Sequence, residues 1–171
     1  MVKLRYRSLL GTLAIICLLS SCSQTEWETI AIDGTSTKFD LPGPIKQTED
    51  EKGMNYAAKC GKVLYKVGVW PRKNADADRA RGYTDEYVLQ AFANGTLDQI
   101  RQSLVGRKPD VVFDGPIDGE SGKGQQYTVK VGNRTVVNRF YLTDANIYYV
   151  EVSMDDPEDE DAHRFLDSFQ I

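Results

Sequence analysis

Alternating apolar and polar positions recur along this chain and predict a fold built mainly from β-strands. The clearest run is Lys62 to Trp70, where the odd-numbered positions are all apolar and the even-numbered positions are mixed. Because successive side chains of a strand point to opposite sides, this run predicts one buried face and one partly covered face. Similar runs predict further strands at 53–60, 110–116, 125–131, 134–143 and 146–154. Near the start, Asp33-Gly34 between two such runs predicts a β-hairpin.

A helix is predicted after this first group of strands, with Thr84 or Asp85 as its cap. Asn94-Gly95 lies in its middle and predicts a bend or a break, because Gly costs about 1 kcal/mol there relative to Ala. The spacing of its apolar residues predicts a buried stripe of Val88, Ala91, Phe92, Leu97, Ile100 and Leu104.

A second helix is predicted at the end of the chain. Asp156 suits its cap and Pro157 its first position, and Glu158 to Asp161 place negative charge near the positive end of the helix dipole. Its apolar stripe is Ala162, Phe165, Leu166 and Phe169. Strands in sequence around one helix, followed by a final helix, predict a single α+β domain at 27–171. We expect a mainly antiparallel sheet of about six to eight strands with helices packed on it.

The stretch 71–83 is charged and lacks periodicity, so we predict a mobile loop there. It contains four basic residues, which have two interpretations. They belong to a solvated loop that also carries Asp76 and Asp78, or they bind an acidic partner or lipid headgroups. The possible partner-binding residues are Arg72, Lys73, Arg79 and Arg81.

Residues 1–21 have the pattern of a signal peptide, with a basic head and an apolar run from Leu9 to Leu19. The last residues before and including Cys22, Leu-Ser-Ser-Cys, resemble the lipobox of bacterial lipoproteins. This resemblance implies cleavage before Cys22 and lipid attached to that residue, with 22–26 as a short tether. The alternative is an ordinary secretory signal in which Cys22 has no role.

Charge and residue types restrict the function further. Removing residues 1–21 takes away three basic and no acidic groups, so the net charge changes from −4 to −7. We therefore expect no nucleic-acid partner, and membrane attachment through the lipid on Cys22 alone. Cys60 is the one cysteine left for the mature domain, and we predict that it is a small buried hydrophobe.

Three motifs could suggest chemistry, but their spacing does not support it. DGESGKG has Ile117 where a phosphate-binding loop needs its first Gly, so we interpret it as a glycine-rich turn. His163 is the only histidine, and we expect it at an exposed position of the final helix. The acidic run from Asp155 lacks the mid-loop Gly of a calcium loop. We expect no catalytic set, no metal and no cofactor, and hence no enzyme.

Five spaced segments, TKFDLPGPIKQ, KVLYKVGVWP, GPIDGESGKGQQYTV, NRFYLTDANIYYVEV and AHRFLDSFQI, resemble the PsbP-like domains of small bacterial envelope proteins. The resemblance covers Thr35 to Ile171. It implies an antiparallel sheet with helices on both faces, an α/β/α sandwich, and a role in binding or assembly.

Together these features predict a membrane-anchored envelope lipoprotein that acts as a non-catalytic binding or assembly domain, with an envelope protein as its partner. The alternative is a carrier of a small ligand or lipid, using any cavity between the sheet and the helix Val88 to Leu104. The residue after Cys22 is Ser23, whereas an Asp at this position would resemble an inner-membrane retention signal. In a cell with two membranes we therefore expect the periplasmic side of the outer membrane.

Overall fold

The computed structural model describes residues 26–104, 106–119 and 122–171. The predicted signal peptide and the lipidation site Cys22 lie outside these ranges, so both stay predictions. The predicted α+β class is confirmed. The elements are β1 (Trp27–Ala31), β2 (Lys38–Pro42), β3 (Lys46–Glu49), β4 (Met54–Cys60), β5 (Val63–Pro71), α1 (Ala75–Ala80), α2 (Asp85–Ser103), β6 (Asp110–Gly119), β7 (Gly122–Val131), β8 (Arg134–Leu142), β9 (Asn146–Met154) and α3 (Glu160–Ser168).

Seven of these strands form one antiparallel sheet in the order β3-β4-β5-β9-β8-β7-β6. Strands β1 and β2 form a separate two-stranded hairpin, as the Asp33-Gly34 pattern predicts. Strand β9 lies at the centre, paired with β5 on one side and with β8 on the other. Val67 is opposite Val150, and Tyr65 is opposite Val152, so the apolar positions of β5 and β9 share one face of the sheet.

That face, which we call the closed face, is covered by the β1-β2 hairpin and by α3. Phe39 of β2 and Phe165 of α3 are completely buried on it. Phe39 stacks on Phe169 at 5.6 Å, and Phe165 meets the ring of Tyr65 edge-on at 5.3 Å. The predicted stripe of α3 is therefore confirmed as the apolar side of a packed core.

The opposite face, which we call the open face, is covered by α2. Leu89, Ala93 and Leu97 are its buried residues, and they pack on strands β7 and β8. These strands contribute Tyr127, Val129, Phe140 and Leu142 to the second core. The predicted stripe of α2 was wrong in part, because Leu89 and Ala93 were missed and Ala91 is exposed. Val88, Phe92 and Ile100 are half-buried at the side of the contact.

Several predicted boundaries were also wrong. Helix α2 runs without a break through Asn94-Gly95, because it is held against the sheet on both sides of this pair. Helix α3 begins at Glu160 and is capped by Asp159, whose Oδ1 accepts a hydrogen bond from the backbone N–H of Ala162 at 2.9 Å. The cap is therefore three residues later than predicted.

Two short elements are not predicted by the sequence. Strand β3 has only exposed residues and forms an edge of the sheet, which explains why no apolar alternation reveals it. Helix α1 lies inside the predicted loop 71–83 and buries none of its residues. Within the described ranges, no helix is both long and apolar enough to cross a bilayer.

Candidate functional site

A groove lies on the open face between the second half of α2 and strands β4 and β5. Its volume is about 640 Å³, within the range of small-molecule sites, which is roughly 300 to 1,000 Å³. We call it the α2 groove. Its lining comes from Lys52, Asn55, Tyr56, Ala57, Lys66, Val67, Gly68, Trp70, Phe92, Thr96, Gln99, Ile100, Ser103 and Tyr149.

The groove follows from the dimensions of the elements. A helix with its side chains is about 10 Å across, and neighbouring strands are about 4.8 Å apart, so one helix covers about two strands. Helix α2 lies over β7 and β8. Strands β4 and β5 are on the other side of β9, and none of the helices in the described ranges lies over them on this face. The half-buried residues of α2 then form one wall of the groove.

The floor of the groove is aromatic. Trp70 stacks parallel to Tyr149, with their ring centroids 6.2 Å apart, and meets Phe92 edge-on at 5.2 Å. Gly68 makes the position of Trp70 possible, because a Cβ at Gly68 would lie 2.9 Å from the indole ring. The indole therefore lies along its own strand and contacts α2, with its surface half-buried. Such rings offer a large, rigid apolar surface to a ligand.

A polar network borders this floor. Nζ of Lys66 lies 2.8 Å from Oε1 of Glu151, which is directly opposite on β9. The hydroxyl of Tyr149 donates to the same carboxylate and lies 2.9 Å from Oδ1 of Asn138. Burial, together with the charge of Glu151, raises the pKa of Tyr149 well above its ordinary value. The hydroxyl is therefore protonated and holds Glu151 in place beside Lys66.

The charges that line the groove are positive. Lys52 and Lys66 contribute ammonium groups, and among the described residues that line it there is no Asp or Glu. The strand register places two more lysines on the same face, since Lys46 is in the row of Lys66 and Lys59 pairs with Leu64. The whole chain has more acidic than basic residues. The register also places the carboxylate of Glu151 on this face, where it is paired with Lys66, so four lysines lie with one glutamate around the groove.

The predicted basic cluster is divided between the interior and the surface. The side chain of Arg72 is only 2% exposed and lies 2.8 Å from Oδ1 of Asp85. It also donates to the backbone oxygen of Thr143 at 3.4 Å. Arg72 therefore joins the β5 end to α2 and the β8-β9 turn, and its inclusion among surface partner-binding residues is corrected. The reason is that its guanidinium group reaches both Asp85 of α2 and the backbone oxygen of Thr143.

The other members of the cluster are exposed. Arg79 forms ion pairs with Asp144 and, at 3.5 Å, with Asp76. Lys73 and Arg81 are at the surface, on either side of α1. Their role in partner binding stays a prediction.

The remaining sequence motifs show structural roles. His163 is exposed, with Nε2 2.9 Å from the backbone oxygen of Pro157. Cys60 is half-buried and packs against the closed-face core. Gly124 lies within β7, where a Cβ would be 2.7 Å from the ring of Tyr141. In the part of the chain that the structure describes, no group of three or more His, Cys, Asp or Glu residues could hold a metal ion.

No protein-family model matches the chain, and no curated protein matches it significantly. The fold is α+β with a seven-stranded antiparallel sheet. The sequence predicts a cavity between the sheet and the helix Val88 to Leu104 as an alternative, but it does not identify the aromatic floor of the groove. The signal available in the sequence was the mixed face of β5, where the half-buried Lys66 and Trp70 each follow a buried apolar position.

Proposed function

We propose that this chain is a non-catalytic binding domain, tethered to the envelope membrane by lipid on Cys22, that takes a small apolar ligand in the α2 groove. The single observation behind the proposal is the ligand-sized groove with its half-buried aromatic floor. Of the two functions that the sequence leaves open, this geometry favours the small-ligand carrier over the assembly factor. The envelope location and the resemblance to PsbP-like domains are part of the proposal.

The groove suits a ligand because it needs no rearrangement to form. Trp70 is fixed by contacts on two sides, Tyr149 and Phe92, so its face is already oriented before a ligand enters. A preformed apolar site loses little conformational freedom on binding. Each methylene group that leaves water for such a surface contributes about 0.8 kcal/mol.

The two tryptophans make the site directly observable. Trp70 lies in the groove, while Trp27 packs on the closed face beside Arg164. We expect the emission of a Trp27→Phe protein, which reports on Trp70 alone, to change saturably on titration with an uncharged probe such as decanol. The complementary Trp70→Phe protein should show no such change.

A groove-filling variant provides the control for location. Thr96→Phe places a ring in the groove and should abolish the response. Ala91→Phe introduces the same side chain on an exposed part of α2 outside the groove and should leave the response unchanged. Equal titrations for both variants would contradict a site in the α2 groove, and absence of any saturable response in the parent protein would contradict the proposed function.

A protein partner is the second candidate function, and one observation favours it. Tyr83 and Tyr87 are 41% and 57% exposed and stack on each other at 4.9 Å. They follow closely on Arg81, so an aromatic pair and a positive charge are adjacent at the surface. Tyrosine and arginine are enriched at protein interfaces.

This candidate is tested by crosslinking in the envelope with a matched pair of variants. We expect the partner to be acidic. The yield of the crosslinked species should fall in a Tyr87→Ala and Arg81→Ala double variant. The yield should persist in Gln102→Ala, which changes an exposed residue at the other end of α2. A crosslinked species that responds equally to all of these changes would count against the interface.

The tether is tested through Cys22. Cys22→Ala should block lipidation while the domain at 27–171 still folds, because every helix and strand in the described part of the chain lies after this residue. Attachment by more than one acyl chain is stable, whereas a single chain gives only marginal and reversible attachment. A Cys22→Ala protein of mature size that still entered the detergent phase would contradict the tether, and fractionation with the inner membrane would contradict the outer-membrane location.

A further inference from the structure

We infer that the ligand of the α2 groove is a single-chain anionic amphiphile, a free monocarboxylate with a medium-length hydrocarbon chain. This inference rests on the proposed function and adds the charge, the shape and the orientation of the ligand. The headgroup lies at Lys66 and Lys52, and the chain lies along Trp70 and α2.

The sign of the charge comes from the lining. The two ionised side chains in the described lining are Lys52 and Lys66. The register adds Lys46 and Lys59 to the same face of the sheet. An anion close to these groups interacts favourably, and at physiological ionic strength screening acts over about 8 Å, so the nearest lysines dominate. A cationic headgroup would be repelled at the same place.

The ammonium group of Lys66 is held in position before an anion binds. Its ammonium group is held by Glu151 at 2.8 Å, and Glu151 is in turn held by the hydroxyl of Tyr149. An ammonium group has three donors, and this ion pair occupies one of them. The Lys66 side chain is still 44% exposed, so further donors are accessible at the groove. The buried carboxylate therefore acts as the positioning residue for Lys66.

The shape of the ligand comes from the helix wall. The residues of α2 that line the groove extend from Phe92 to Ser103. With a rise of 1.5 Å per residue, this wall is about 16 Å long. It presents Phe92, Thr96 and Ile100 in successive turns. A groove of this length beside one helix suits one extended chain, and its volume of about 640 Å³ is that of a site for a small molecule.

The test compares three probes that share one chain and differ in the headgroup: decanoate, decanol and decyltrimethylammonium. Each is titrated below its aggregation concentration at neutral pH, with Trp70 emission in the Trp27→Phe protein as the readout. We expect decanoate to bind most tightly, and decyltrimethylammonium about three- to tenfold more weakly. Equal affinities for all three would overturn the inference and leave the proposed function intact. No binding by any probe would overturn both.

Matched variants locate the headgroup. Lys52→Gln should weaken decanoate about threefold and leave decanol unchanged. Lys130→Gln removes the same charge from an exposed position on the other face of the sheet and should change neither affinity. Glu151→Gln should raise the affinity for decanoate, since it removes the negative charge beside Lys66 but keeps a hydrogen-bond acceptor. A purely structural role of Glu151 would lower the affinities for decanoate and decanol together.

A last experiment distinguishes a free carboxylate ligand from the headgroups of a membrane. The Cys22→Ala protein is mixed with vesicles of phosphatidylglycerol and with vesicles of phosphatidylcholine. We expect no binding that depends on Lys52 or Lys66. Binding to the anionic vesicles that is lost in Lys52→Gln would overturn the free ligand and assign these lysines to the bilayer surface.

Discussion

The two faces of the sheet are covered to different extents. On the closed face, the hairpin and α3 bury a continuous apolar layer in which Phe39, Tyr65 and Phe165 have no exposed surface. On the open face, α2 covers β7 and β8 and leaves β4 and β5 beside it open. The same sheet thus has one side on which the central rings are enclosed and one side along which the α2 groove is open.

The difference shows how residue type alone can mislead. Both faces are rich in aromatic side chains, and both form stacked or edge-on ring pairs. The two faces differ in how completely their rings are covered. A ring enclosed on all sides contributes to stability, whereas a ring with one free face is also available to a ligand. Trp70 and Phe92 belong to the second kind.

The largest expected effect contrasts one phenylalanine from each face. Phe165→Ala should lower the free energy of unfolding by about 3 to 5 kcal/mol, because it opens a cavity in a fully buried core. Phe92→Ala should cost roughly half as much, since the side chain is half-buried and solvent can enter the space it leaves. Urea unfolding followed by circular dichroism measures both. Equal losses would break the contrast between the faces.

The next effect separates Arg72 from its exposed neighbours. Arg72→Ala should cost about 2 to 4 kcal/mol, because it removes a buried side chain and its ion pair with Asp85. Arg81→Ala, at the surface, should change stability by less than about 0.5 kcal/mol. Urea unfolding followed by circular dichroism measures the loss of stability in both variants. A small loss of unfolding free energy for Arg72→Ala would contradict a structural role of this side chain and favour the surface role that the sequence predicts.

Alkaline pH should weaken the fold on both faces. Burial raises the pKa of Tyr65 and Tyr141 on the closed face and of Tyr149 on the open face. An unfolded tyrosine ionises near pH 10, while these folded ones keep their protons to higher pH. The unfolded state therefore loses protons first, and stability that is present below about pH 10 is lost as the pH rises further.

Unfolding measured at a series of alkaline pH values checks this prediction. Tyr149→Phe should make the decline less steep, because one of the contributing phenols is gone. Tyr87→Phe, at an exposed position, serves as the matched control and should leave the slope as it is. Identical slopes for the parent and both variants would contradict the role assigned to burial.

The smallest effect on stability is expected for Thr96→Phe. The added ring enters open space in the α2 groove, so the free energy of unfolding should change by less than about 0.5 kcal/mol. On the closed face, Ala162→Phe should instead cost about 1 to 3 kcal/mol, because Ala162 is completely buried and overpacking forces shifts. Thermal unfolding of the two proteins compares them. A large loss for Thr96→Phe would mean that the groove is already filled.

Much of the fold could be predicted from the sequence because β-strand alternation is a strong signal when one face is fully buried. The alternate buried positions Val63, Tyr65 and Val67 of β5 are an example, and the sequence also indicates that the other face of β5 is only partly covered. Strand β3 and helix α1 were not predicted, since neither has an apolar face to bury. Their positions depend on neighbours that are distant in the sequence.

A cavity between the sheet and α2 is one alternative that the sequence predicts, but its position could not be predicted because helix α2 has two adjacent apolar rows. One row contains Leu89, Ala93 and Leu97, and the other contains Phe92 and Ile100. Helical periodicity shows that both exist, but it does not show which row lies under the helix and which lies at its side. That choice depends on where α2 sits across the sheet, and the groove depends on the choice.

The central claim is that the open face binds a ligand in the α2 groove, and chemical-shift mapping with decanoate tests it most directly. The account predicts that backbone amide shifts concentrate at Gly68 and Trp70 of β5, at Asn55 of β4 and between Phe92 and Ser103 of α2. Amides of β2 and α3 on the closed face should not move. Shifts centred on the hairpin and α3, or no saturable shifts at any concentration, would contradict it.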